Sequence, residues 1–156
     1  MTICGYPPGI LPDIEPLVSL FTETVRQVCT AYTPQQRAAW APIPPDRPHW
    51  ERALRAHTVW VADQDGKTVG FIDLAEDGVL DHLYVHWRYQ RQGIATKLVS
   101  CLEKEARQRG VVQIETDASR IARPFFEKRG YAIQAHQEVL RRGVILDNFH
   151  MIKRLI

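Results

Sequence analysis

The chain has 156 residues, a length that predicts one domain with a hydrophobic core of its own. Hydrophobic residues make up 45% and charged residues 24%, which is ordinary for a globular protein. The formal net charge of +2 argues against a dedicated nucleic-acid-binding protein, because such a protein would carry a concentrated basic face.

Three cysteines, Cys4, Cys29 and Cys101, are widely spaced and form no Cys-x-x-Cys pair. This arrangement argues against a zinc site and against a disulfide framework, and it favours reduced thiols in a cytoplasm. The N-terminal residues show no basic region followed by a long apolar run, and no stretch is long and apolar enough to span a bilayer. We therefore expect neither a signal peptide nor contact with a membrane.

The first third of the chain predicts an edge strand followed by helices. Residues 2–5 form the expected strand, and apolar residues then recur at helical spacing over 13–29, with Asp13 as the expected N-cap. A second helical region begins near residue 33, is broken by prolines between 42 and 48, and resumes through 49–56. We interpret the broken stretch as a loop between helices.

The remainder predicts strands interrupted by two helices. A hairpin pairs 58–62 with 68–74, a third strand covers 79–85, and a helix follows that ends at Gly110. In that helix we expect Glu103–Arg107 and Glu105–Arg109 to be solvated ion pairs. A strand at 111–116, a helix at 119–129 and two strands that turn at residues 141–143 complete a layered α/β domain.

The most informative segment is the junction between the strand ending at Val85 and the following helix. A basic, glutamine-rich turn joins them, and Gly93 and Ala95 stand where the turn becomes helix. Small residues let backbone approach a ligand, and a helix N-terminus presents free N–H groups and positive dipole charge. The junction predicts a phosphate or pyrophosphate site, but neither a Walker A loop nor a dinucleotide fingerprint. The alternative is an ordinary strand-to-helix connection.

Two motifs resemble the GNAT N-acetyltransferases. Gln90-x-x-Gly93-x-Ala95 is similar to the acetyl-CoA loop of that family, and residues 122–131 are similar to its Ala-x-x-Phe-Tyr-Glu-Lys-x-Gly-Phe segment. The order of elements resembles the GNAT fold, and the tail from 142 resembles a branch of small bacterial acetyltransferases. The resemblance implies one GNAT domain over 1–156, with a mixed, mostly antiparallel sheet whose central strands splay apart between flanking helices.

The resemblance also implies acetyl-CoA as co-substrate and a primary amine of a small molecule, peptide or protein as acceptor. The pantetheine arm is expected between the strands at 79–85 and 111–116, and the pyrophosphate on the N–H groups of 92–96. Arg88 and Arg91 are expected near the phosphates, the alternative being solvated surface charges. The residues that we assign to cofactor binding are Leu83, Tyr84, Val85, Gln90, Arg91, Gln92, Gly93, Ile94, Ala95, Thr96, Ser119 and Phe126.

For the general base we favour Asp81, which stands four residues ahead of Val85, where resembling enzymes often place a carboxylate or histidine. The alternative is a strand-end aspartate bound to backbone. His82 is the second candidate, although alternation along a strand predicts that it points to the opposite face. No metal is expected in the reaction.

The general acid usual in the resembling family is ruled out at its position, because Phe126 stands where the family commonly has a tyrosine, and phenylalanine has no proton to donate. Water, Ser119, Tyr84 or Tyr131 remain as donors. Ser119 has the alternative role of helix N-cap. The departure motivates a second hypothesis, a non-catalytic acyl-CoA sensor or regulatory protein.

The bulky side chains divide between core and site. We expect Phe125, Ile121 and Tyr131 in the core, and we leave open whether Trp40, Trp50 and Trp87 wall the acceptor pocket. The final strands also make a homodimer possible.

Overall fold

The computed structural model describes residues 1–156 and contains seven strands and five α-helices. The strands are β1 Thr2–Tyr6, β2 Thr58–Gln64, β3 Lys67–Leu74, β4 Leu80–Val85, β5 Gln113–Ala118, β6 Ala132–Arg141 and β7 Val144–Arg154. The helices are α1 Glu15–Val28, α2 Pro34–Trp40, α3 Arg47–Ala56, α4 Ile94–Gln108 and α5 Arg123–Lys128. A short 3₁₀ turn, Trp87–Tyr89, lies between β4 and α4.

The strands form two antiparallel sheets, one in the order β1-β2-β3-β4 and the other in the order β5-β7-β6. They meet where β4 and β5 begin. Val79 makes a parallel bridge to Glu115, and the Thr116 hydroxyl donates to the carbonyl of Leu80 over 2.9 Å. No further backbone pairing joins β4 to β5, so the two strands splay apart, as predicted.

A glycine makes this close junction possible. Gly78 has a φ of +94°, and a Cβ added there would lie 2.8 Å from the carbonyl oxygen of Gln113. Only glycine adopts this conformation without strain and leaves room for the neighbouring strand. The strands therefore touch at Gly78 and open towards their other ends.

Two hydrophobic clusters lie on opposite faces of the four-stranded sheet. The face towards α4 is filled by side chains such as Ile72, Leu98 and Leu102. The face towards α1–α3 is filled by side chains such as Leu17, Phe21, Trp50 and Phe71. Because helices cover both faces, β2 and β3 are buried over most of their length.

The predicted order of elements is confirmed, with corrections at helix ends. Helix α5 begins at Arg123, not at residue 119, because Pro124 has no N–H group and belongs in the first turn of a helix. Helix α1 begins at Glu15, again with a proline in its first turn. Its N-cap is Ile14, so the expectation for Asp13 was wrong, although Asp13 accepts a hydrogen bond from the Glu15 N–H group. Ile121 was predicted in the core, but it is 43% exposed because it lies in the turn before α5.

The expectation that Glu103 forms a solvated pair with Arg107 was wrong. Glu103 is buried, and its carboxylate accepts hydrogen bonds from the Tyr131 hydroxyl at 2.8 Å and the Lys153 ammonium at 3.1 Å. Arg129 lies 3.4 Å away. Glu105 and Arg109 do form the predicted pair, also at 3.4 Å.

None of the helices has the length and apolar character needed to cross a membrane.

Candidate active site

A cavity of about 490 Å³ opens where β4 and β5 separate. Six of the residues assigned from sequence line it, namely Asp81, His82, Leu83, Tyr84, Ser119 and Phe126. Helices α1–α3 and the β6–β7 hairpin supply the other walls. The cavity thus brings together both base candidates with Leu83 and Tyr84, whereas Val85 is buried and lies outside the lining.

A β-bulge changes the direction of Asp81. Asp73 pairs with His82 and Leu74 pairs with Leu80, so Asp81 is the extra residue on β4. A bulge breaks the alternation of side chains, and here it leaves an Asp81 carboxylate oxygen 3.5 Å from His82 Nδ1. The expectation that the two residues point to opposite faces was therefore wrong, because both line the same cavity.

His82 is held by a carboxylate that the sequence analysis missed. Asp73 is completely buried and accepts the His82 backbone N–H at 2.7 Å and the His82 Nδ1 at 3.1 Å. His57 Nδ1 lies 2.8 Å from the other oxygen of Asp73. Since a carboxylate can only accept, Nδ1 of His82 carries a proton, and neutral His82 has its lone pair on Nε2. That nitrogen forms no hydrogen bond within the chain.

The charges of this cluster shift its titrations. Burial alone would lower the pKa of His82, but the charge of Asp73, the hydrogen bond to it and the charge of Asp81 raise that pKa above its usual value. The hydrogen bond to Asp73 raises the pKa of His57. Burial would raise the pKa of Asp73, but both histidines lower it, so its carboxylate stays ionised.

A signal for Asp73 was present in the sequence, because it is the single acidic residue in the otherwise apolar run from Val69 to Leu74. His57, Asp73 and Asp81 each place one possible ligand atom within 4.8 Å of the others, a set that could hold a metal ion. Both oxygens of Asp73 already accept hydrogen bonds from histidine, which accounts for the cluster without a metal.

The predicted phosphate loop has the backbone of an anion site. Gly93 is the N-cap of α4, with a φ of +80°, and no side chain caps the helix. Lys97 donates to the Gly93 carbonyl, so the N–H groups of residues 94–96 precede the first intrahelical bond and have no partner. Gln92 and Thr96 are exposed. Ile94, the first residue of α4, packs its side chain into the core between α4 and the sheet, so only its backbone can contact a ligand.

Basic and polar side chains complete the loop. Arg88 and Arg91 are exposed, and Arg88 stacks on Trp87 at 4.6 Å. Gln90 was assigned to cofactor binding. Its amide donates to the Val85 carbonyl over 2.6 Å, which ties the loop to the end of β4. Residues 90–96 do not line the cavity; they come after the C-terminal end of β4, whose residues 80–84 do line it.

The edge of β4 that faces β5 offers unpaired backbone groups. The His86 N–H donates across to Val69 on the β3 side, so alternation turns the N–H groups of Leu83 and Val85 towards the gap. An extended ligand can add itself to such an edge as a further strand. This geometry is what the pantetheine assignment requires.

Three candidates for the general acid differ in what they contact. The Tyr131 hydroxyl is bound to Glu103 outside the cavity lining, and Phe126 packs edge-on against Tyr131 at 5.0 Å. Ser119 accepts a hydrogen bond from the Ala122 N–H, so it caps the turn before α5. Tyr84 lines the cavity, and burial raises its pKa, which keeps its hydroxyl protonated at neutral pH.

Together with the splayed strands, the free strand edge and the uncapped helix N-terminus, comparisons with known proteins define the class as the acetyltransferases. Residues 28–155 match the acetyltransferase (GNAT) domain family. The Escherichia coli (strain K12) N-acetyltransferase YafP is 36% identical over 150 residues, covering 96% of this chain and 93% of that protein. The chain therefore belongs to the GNAT family of N-acetyltransferases.

Solved structures agree with this assignment. A GCN5-related N-acetyltransferase from Rhodopseudomonas palustris superposes with a TM-score of 0.91 at 31% identity, covering 99% of this chain and 95% of that one. The PaiA N-acetyltransferase of Thermoplasma acidophilum, solved with coenzyme A, has the same fold with a TM-score of 0.75 at 18% identity and 99% coverage of both chains.

Proposed function

We propose that the protein transfers the acetyl group of acetyl-CoA to a primary amine of a small molecule, a peptide or a protein by direct attack. The observation that carries this proposal is the free Nε2 of His82, which lies in the same cavity as the free edge of β4. Direct attack needs a base beside the thioester, and this arrangement supplies one. We propose no metal in the reaction.

Acetyl-CoA binding is supported from two directions. The coenzyme A complex of the Thermoplasma acidophilum relative and the acetyl-CoA complex of YncA from Salmonella typhimurium share this fold. In this chain, the N–H groups of Ile94, Ala95 and Thr96 would bind the pyrophosphate, and Arg88 and Arg91 would add charge. Leu83 and Val85 would hydrogen-bond the pantetheine arm.

In this mechanism His82 is the general base, and Asp73 fixes its tautomer. The amine lone pair attacks the thioester carbonyl and forms the C–N bond, while Nε2 of His82 takes a proton from the nitrogen. The C–S bond then breaks, and the CoA thiolate takes a proton from the Tyr84 hydroxyl or from water. Asp81, 41% exposed in the bulge, raises the pKa of His82 and attracts the protonated acceptor, which loses one proton to solvent before its lone pair attacks.

Kinetics separate the two base candidates. A positioned general base contributes about 10²- to 10⁴-fold, so His82→Gln should lower kcat by that factor. Asp81→Asn should retain most of kcat and move the acidic limb of the pH profile to lower pH, since it removes a charge that raises the pKa of His82. The reverse pattern would make Asp81 the base.

The cofactor site is tested by calorimetric titration with acetyl-CoA and with CoA. Gly93→Trp should abolish a dissociation constant expected in the micromolar range, because the side chain would cover the free N–H groups. Gly110→Trp is the matched control: Gly110 also has a positive φ, of +76°, and open space around it, so both variants carry similar backbone strain. Unchanged affinity in Gly93→Trp would contradict this placement of the pyrophosphate.

The second candidate function is a non-catalytic acyl-CoA sensor, favoured by Phe126. That ring is 2% exposed and has no proton to donate. Phe126→Tyr discriminates: a large gain in thiol release would indicate an enzyme weakened at its acid. An unchanged rate, together with a loss of about tenfold or more in Tyr84→Phe, would assign the acid to Tyr84.

We propose a cytoplasmic location, which the three free cysteines support.

A further inference from the structure

The acceptor side of the cavity is walled by a continuous arc of rings. Tyr32 contacts Trp40 at a centroid distance of 5.4 Å, and Trp40 lies 6.5 Å from Tyr84. Phe21 contacts both Tyr84 and Trp50 at 4.9 Å. We call these five residues the aromatic arc. All of them line the cavity, so five aromatic rings form much of its wall.

The arc ends at the proposed base. The Trp50 ring lies 4.6 Å from the His82 ring, with 35° between their planes. A flat molecule packed on the arc therefore has one edge beside His82. An amine one or two carbons beyond the ring of such a molecule would lie within reach of Nε2.

The charges of the cavity favour a single cation near that edge. Four carboxylates line it, against two guanidinium groups. Asp147 is bound by Arg120, Asp117 is bound by His150, and Asp46 caps α3 by accepting the His49 N–H, so none of these three is free. Asp81 has neither an arginine nor a lysine within ion-pair distance, and its neighbours are the two histidines of the Asp73 cluster.

From the arc and from Asp81 we infer that the acceptor is a primary amine carried by a flat aromatic ring. The ring would contact Trp40 and Tyr84, the half-buried members of the arc, and the amino group would lie beside Nε2 of His82, with Asp81 as the nearest free carboxylate. Aromatic pairs in offset or edge-to-face arrangements contribute more than the burial of their area alone, a contribution that a saturated ring does not make. The inference rests on the proposed acetyl transfer and narrows its acceptor.

Binding is measured without turnover, with the protein saturated with CoA, by quenching of tryptophan fluorescence. Trp40 and Trp50 line the cavity, whereas Trp60 and Trp87 do not, so a ligand on the arc changes the emission. The probes are 2-phenylethylamine, its saturated counterpart 2-cyclohexylethylamine and spermidine. We expect 2-phenylethylamine to bind about three- to tenfold more tightly than the cyclohexyl compound, and spermidine more weakly than both.

Two matched variants locate the preference. Trp40→Leu should bring the ratio between the aromatic and the saturated amine close to one, because it removes a half-buried ring of the arc. Trp87→Leu removes a half-buried tryptophan outside the cavity and should leave the ratio unchanged. Equal affinity of the two amines for the unmodified protein, or tighter binding of spermidine, would overturn the inference.

Thiol release from acetyl-CoA with the same amines separates the two proposals. Faster turnover of 2-phenylethylamine than of the other two supports both. Turnover that favours spermidine overturns the aromatic acceptor and leaves acetyl transfer standing. Preferential binding of 2-phenylethylamine with no thiol release for any amine overturns the transfer and leaves the aromatic ligand standing.

Discussion

Asp73→Asn is the sharpest test of the proposed catalytic arrangement, because it removes a charge while keeping the shape of the side chain. Asp73 has no solvent exposure and accepts from the backbone N–H of His82, from His82 Nδ1 and from His57 Nδ1. An amide has one accepting oxygen and an NH₂ group that must donate. At least one of the three contacts is therefore lost or reversed.

The structural cost follows from that count. A hydrogen bond to a charged group contributes about 1.5–3 kcal/mol, and breaking a buried ion pair costs about 3–5 kcal/mol. Both histidines can relax by losing a proton, so we expect the free energy of unfolding to fall by about 2–4 kcal/mol. For a chain of this length that lowers the melting temperature by roughly 4–16 °C.

The catalytic cost is larger than the structural one. If the NH₂ group of the introduced amide donates to Nδ1 of His82, the imidazole proton moves to Nε2, and the base has no lone pair facing the amine. We expect kcat to fall by about 10²- to 10⁴-fold at 20 °C, where the variant remains folded. The acidic limb of kcat/KM should also move to lower pH, because the charge that raises the pKa of His82 is gone.

The assay is thiol release from acetyl-CoA as a function of pH, with scanning calorimetry on the same samples. Asp63→Asn is the control, since Asp63 also accepts a side-chain hydrogen bond, from Thr68, but lies outside the cavity. An acidic limb at the same pH in Asp73→Asn and in the unmodified protein would refute the role of the Asp73–His82 pair as base.

Three further predictions concern stability and assembly. Glu103→Ala should lower the free energy of unfolding by about 3–5 kcal/mol, because it leaves Lys153 and Arg129 without their buried carboxylate, while calorimetry shows unchanged acetyl-CoA affinity. Folding raises the pKa values of His57 and His82 above 6.5, so the protonated histidines stabilise the folded state fully below pH 6.5 and lose this contribution as the pH rises through their pKa values in the folded protein. The melting temperature should therefore fall over that pH range, and it should fall less in His57→Gln. Because β6 is an exposed edge strand, we predict a homodimer, and light scattering that gives the monomer mass at 100 μM would contradict it.

The sequence by itself determined the features that depend on neighbouring residues. The loop at 90–96 could be predicted because its glycine, its helix start and the preceding strand are contiguous, and the local backbone alone produces free N–H groups. The order of strands and helices followed from apolar periodicity and from turn residues in the same way. The antiparallel hairpins and the helix after β4 needed no knowledge of distant contacts.

Only the tertiary structure decided the chemistry inside the cavity. His57 immediately precedes β2, Asp73 lies near the end of β3, and His82 lies on β4. Their hydrogen bonds therefore depend on the pairing of three strands. The bulge at Asp81 depends on register and reverses the direction that strict alternation predicts. Helical periodicity predicted that Glu103 is exposed to solvent, but it is buried. Hydrogen bonds from Tyr131 and Lys153 offset the cost of burying its charge, and periodicity does not reveal partners so far along the chain.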